Sequence, residues 1–84
     1  MMLADQIRRH VNDELIEPAR KAKRSQVIVR AGDVHKDLDL KNRMPAVCGA
    51  LNARKFQDEY RVILSKRTGP SQGANATWYF GILP

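Results

Sequence analysis

The 84-residue sequence predicts an α+β domain: a three-helix core, a short strand after the first helix and a β-hairpin at the C-terminal end. Three observations predict it. Apolar residues recur at helical spacing over 3–16, at Leu3, Ile7, Val11 and Leu15 with Ala4 beside them. Gln26-Val27-Ile28-Val29-Arg30 is a β-branched run of strand length. Near the end, Trp78, Phe80 and Ile82 alternate, so one face of a strand over 76–82 covers a core and Tyr79 points the other way. A chain of this length supports one small core, hence one domain over 1–84.

Taken in order, the first helix is expected to end or restart at Glu17, because Pro18 disfavours the helical conformation in the residue before it. Residues 18–24 can add a helical turn or two, with Pro18 in the first turn. After the strand, Ala31, Val34 and Leu38 share a face of a helix over 31–38, and Asp33 suits its N-terminal dipole. Asp39 stands where the chain must turn, and Asp tolerates the left-handed conformation. Leu40 can tuck into the angle before a third helix over 43–54, for which Asn42 is the expected N-cap and Pro45 a first-turn residue. Gln57-Asp58-Glu59 reads as a polar link. Strands over 60–65 and 76–82 then flank a loop marked by Gly69-Pro70 and Gly73.

The third helix is unusual in having no charged outer face. Met44, Val47, Ala50 and Leu51 form its apolar side, and Pro45, Ala46, Gly49, Asn52 and Ala53 the opposite one. Small residues let a backbone approach something closely; the same composition would also suit a helix covered on both sides. Arg43, Arg54 and Lys55 stand at its ends.

Charge is uneven. Residues 1–40 carry eight Lys/Arg against seven Asp/Glu, whereas residues 41–84 carry seven against Asp58 and Glu59 alone. A one-sided basic field points to a polyanion, most often nucleic acid. A second cationic cluster, Arg20, Lys21, Lys23 and Arg24, reads first as a solvated face.

Enzymatic readings find little support. Cys48 is the only cysteine, which excludes an internal disulfide and a cysteine-pair metal motif, and beside Val47 it reads as a small buried apolar residue. His10 and His35 lie in different elements without metal-ligand spacing. Asp33, Asp37 and Asp39 are explained by capping and solvation, and no phosphate-binding Gly-rich loop occurs. No metal, cofactor or catalytic residue is expected. The opening residues show no secretory leader and no stretch has transmembrane length, which suits a cytoplasmic protein without membrane contact.

The order helix, strand, helix, turn, helix, strand, loop, strand resembles the winged helix-turn-helix family over nearly the whole chain, about residues 3–82. Asp39 departs from the glycine common in such turns. The resemblance implies double-stranded DNA as partner, a helix over 43–53 in the major groove and a wing over 66–75 on the backbone. Lys41, Arg43, Arg54, Lys66 and Arg67 would then hold phosphates, and Asn42, Arg43 and Asn52 would face base edges. Ala46 and Gly49 would let the helix seat deeply. A small transcriptional regulator is the function implied, with a protein–protein adaptor, or RNA and single-strand binding through Tyr79 and 20–24, as the alternatives. The apolar stripe of the first helix suits a homodimer as well as a monomer's own core.

Overall fold

A computed structural model describes residues 2–84. The first apolar stripe forms α1 (Leu3–Val11), whose Ile7 and Val11 are wholly buried within one copy of the chain. The helix does not stop before Pro18. It widens into a π-helical segment (Asn12–Ile16) and continues as α2 (Glu17–Lys21). A proline ring in an α-helix collides with the carbonyl four residues back, and a wider turn relieves that clash without ending the helix. Glu17 N–H accordingly donates to the Asn12 carbonyl, five residues earlier. Beyond α2, Lys23 takes a left-handed conformation (φ 60°), and Arg24 N–H closes the end on the Ala19 carbonyl at 2.9 Å.

Strand β1 (Gln26–Arg30) leads directly into α3 (Ala31–Asp37). The turn after α3 holds Asp39 in the left-handed region (φ 52°), as its residue type suggested. Asn42 does so as well (φ 54°), which overturns its reading as an N-cap: its backbone is committed to the turn, and Arg43 occupies the position before α4. His35 ties down this entry to the helix, its Nε2 receiving the Arg43 backbone N–H at 3.2 Å.

Helix α4 (Met44–Asn52) is shorter than 43–54. The chain breaks at extended Ala53 (ψ 132°) and starts again as α5 (Arg54–Tyr60), so residues 57–59 are helical and not a polar link. Phe56 and Tyr60, four apart, give α5 its apolar edge, with ring centroids 5.6 Å apart. A long-range contact lies beside the break: buried Arg8 reaches from α1 to the Ala50 carbonyl (3.4 Å), an acceptor in the last turn of α4, while its second terminal nitrogen donates to Asp5 at 3.0 Å.

Strand β2 (Val62–Thr68) starts and ends later than 60–65, taking in Lys66 and Arg67, and β3 (Thr77–Ile82) lies close to its expected position. The sheet is antiparallel in the order β1-β3-β2. Its inner face carries Val27, Val29, Trp78, Phe80 and Val62, buried against the helices. Phe80 meets Phe56 edge-on with centroids 5.1 Å apart. Leu51, Val47 and Cys48 bring α4 into the same core.

Candidate nucleic-acid interface

The inner and outer sides of α4 divide as the residue types suggested. Val47, Cys48, Ala50 and Leu51 are buried, Pro45, Gly49 and Asn52 are exposed, and Ala46 and Ala53 are half-buried at the margin. Gly49 is the informative residue. A Cβ built on it would meet no atom within 4 Å, so nothing inside the molecule requires glycine there. Glycine within a helix costs about 1 kcal/mol relative to alanine.

At the N-terminal end of α4, the turn exposes Lys41, Asn42 and Arg43. Among the described residues, the side chains of Lys41, Arg43 and Lys66 lie outside every ion pair, whereas Arg8, Arg9, Arg20, Arg30 and Arg54 each face a carboxylate. The Arg54–Asp58 pair (3.3 Å) is largely exposed on both sides, so it holds Arg54 only weakly. Arg54 stands at the head of α5, not at the end of α4. Arg20 caps α5 through the Tyr60 (3.1 Å) and Arg61 (3.3 Å) carbonyls, which withdraws it from the 20–24 cationic cluster.

At the other end of α4, one indole gathers two expected site residues. Trp78 is fully buried, and its Nε1–H donates to Asn52 Oδ1 at 2.8 Å. The Arg67 guanidinium lies over the same ring, 4.5 Å from its centroid, and donates to the carbonyls of Thr68, Gly69, Pro70 and Ser71. Arg67 is therefore the staple of the β2–β3 loop, and few of its donors remain for a phosphate. Asn52 has one lone pair of its oxygen engaged and its orientation set by the indole, which leaves its amide N–H groups as its freest offer to a partner. The other side of the loop is tied to α3, since Gly32 N–H donates to Ala74 O (2.9 Å) and Arg30 to Asn75 Oδ1 (2.7 Å). A Cβ on Gly32 would sit 2.9 Å from that Ala74 oxygen.

Lys66 does not share this side. An irregularity in the β2 register between Leu64 and Lys66 inserts Ser65, whose hydroxyl donates to Tyr79 O at 2.9 Å. One extra residue inverts the alternation that follows it. Arg67 consequently turns inward over Trp78, and Lys66 turns outward, its ammonium 5.3 Å from the Tyr79 ring centroid. The structure thus gathers Asn52 and Arg67 around Trp78, groups Lys41, Asn42 and Arg43 at the opposite end of α4, and separates Lys66 from both.

Three residues to which the sequence assigned no part in the site complete it: Arg8 contacts the last turn of α4, His35 holds the turn that enters it, and Trp78 joins it to the loop. Their partners lie 42, 8 and 26 positions away in sequence, beyond the reach of a local pattern. His10 faces Asp37 at 3.4 Å, so each histidine has a partner within the fold. Comparison with protein-family models, with curated proteins and with solved structures gave no match. No helix among the described residues is long and apolar enough to cross a membrane.

Proposed function

We propose that this protein binds double-stranded DNA as a winged helix-turn-helix domain, in the manner of a small transcriptional regulator, with α4 in the major groove and the β2–β3 loop against the backbone. The element order and the sheet order β1-β3-β2 support the likeness; α5 is an addition to it. The observation that carries the reading is Gly49, a helix-interior glycine facing open space on a side that also presents Pro45 and Ala46. A surface brought against a duplex gives that glycine a purpose the fold itself does not. Lys41 and Arg43 supply cations that no carboxylate among the described residues neutralises. Base reading then falls chiefly to Arg43, suited to guanine, and Asn42, with Asn52 contributing through its amide donors. Arg67 acts by shaping the loop.

Fluorescence anisotropy with a labelled duplex over rising salt tests this. The parent should bind at low salt, and Lys41→Ala with Arg43→Ala should flatten the salt dependence by about 0.9 of a unit of slope for each phosphate no longer held. No duplex affinity at low salt, or an unchanged slope in the double variant, would remove the proposal and favour a protein partner on the same face.

A further inference from the structure

The outer face of the sheet is unused by the helices and by the reading above. Its side chains form a three-by-three grid fixed by the register. Gln26, Gly81 and Ile63 make one row, Ile28, Tyr79 and Lys66 the middle row, and Arg30, Thr77 and Thr68 the third. Ile28 and Ile63 are 55% and 52% exposed, and with Met2 and Leu83 they are the exposed large apolar residues among the described residues. Tyr79 sits at the centre of the grid, the one aromatic on this face. The nine positions include two cations and no carboxylate; Asp33 meets Arg30 only at the corner, from α3.

We propose that this face binds single-stranded nucleic acid, with one base stacked on Tyr79, Ile28 and Ile63 against its neighbours and Lys66 on a phosphate. The bulge at Ser65 carries the argument. Without the extra residue, Lys66 would point into the core side and Arg67 outward; with it, a cation is set beside the central aromatic. In the free protein the Lys66 ammonium faces the Tyr79 ring. A nucleotide satisfies both groups at once, because its base takes the ring face and its phosphate takes the ammonium. A second copy of the chain is disfavoured as occupant, since it would set Lys66 and Arg30 against their own like charges. An added peptide strand would pair along a sheet edge and leave this face empty. The inference stands apart from duplex binding by α4.

The test is anisotropy with labelled oligo-dT and oligo-U, using the parent, Tyr79→Leu and Lys66→Gln, with circular dichroism to verify folding. Loss of one stacked base predicts weakening by roughly 5- to 150-fold in Tyr79→Leu. Lys66→Gln should flatten the salt dependence by about 0.7 of a unit, the single-strand value. The two oligomers show whether DNA or RNA is preferred. Amide shifts of the parent titrated with the tighter oligomer should cluster at Ile28, Ile63, Lys66 and Tyr79, a readout that needs no variant to fold. Tyr79→Leu binding as tightly as the parent, shifts confined to α4, or equal affinity for polyglutamate would overturn the proposal. So would concentration-dependent dimerisation abolished by Ile28→Lys.

Discussion

Replacing Asn52 by alanine probes the joint on which the candidate interface depends. Trp78 is completely buried and its indole N–H has one acceptor, Asn52 Oδ1 at 2.8 Å. Truncating Asn52 leaves that donor without a protein partner, a loss of about 1–3 kcal/mol when the group stays dry. Asn52 itself is exposed, so water can reach toward the vacated position, and the effect belongs near the lower end of that range. Urea unfolding followed by the fluorescence of Trp78, the sole tryptophan, reads it directly. With a slope of ~1 kcal/mol per molar urea for so small a domain, the midpoint should fall by about 1 M. Trp78→Phe removes the donor instead, and a double-mutant cycle should return a coupling of about 0.5–1.5 kcal/mol. Additive variants, or an Asn52→Ala midpoint equal to the parent's, would refute the claim that this bond sets α4 against the β2–β3 loop. Duplex affinity of Asn52→Ala should be measured without urea, at a temperature where both proteins are fully folded, because the residue serves fold and surface together.

Other expectations follow from the same packing. Leu51→Ala should cost about 2–5 kcal/mol in urea unfolding, since Leu51 is wholly buried on the inner side of α4; a negligible loss would reverse the helix faces. Cys48→Ser should lower stability by about 1–3 kcal/mol through burial of a hydroxyl and leave duplex binding intact, and loss of binding at unchanged stability would point to a reactive thiol instead. Lys23→Gly should stabilise by about 1 kcal/mol, because lysine there holds φ 60°, and no gain on thermal melting would mean its side chain makes a compensating interaction. Burial, followed by the hydrogen bond and charge of Glu59, raises the pKa of Tyr60, with Asp13 adding to the rise and Arg9 opposing it. A folded-state value above the unfolded one gives stability that is complete below the unfolded tyrosine range and lost as pH rises through the folded value. Urea midpoints across the alkaline range should therefore fall less steeply in Tyr60→Phe than in the parent; parallel curves would contradict the assignment.

Much of the fold was legible because its signals are local. The apolar spacing of α1, the β-branched run of β1, the alternation of Trp78 and Phe80, and the left-handed Asp39 each state their structure within a few residues. What the sequence concealed carried no decisive local signal. Ala53 breaks a helix without a glycine or proline, with Arg8 of α1 holding the Ala50 carbonyl just before it. Pro18 widens its helix, where a proline reading expects an end, because the flanking stretches bury Ile16 and Ala19 against the same core. The candidate site divided similarly. The exposed small face of α4 and the free cations at its head could be read from residue type and period. The roles of Asn52, Arg67 and Lys66 could not, because they depend on where Trp78 lands and on one inserted residue, Ser65, that swaps the faces of two adjacent cations.

Gly49→Gln offers the most direct measurement of the central claim, that a duplex seats on the outer face of α4. The substituted position opens on empty space, so the side chain fits the fold, and glutamine is the better helix former by roughly 0.5 kcal/mol or more. The protein should become slightly more stable while its affinity for duplex DNA falls at least tenfold, since the added side chain stands between the helix and the groove. A variant that gains stability and binds duplex as tightly as the parent would place the interface elsewhere and contradict the account.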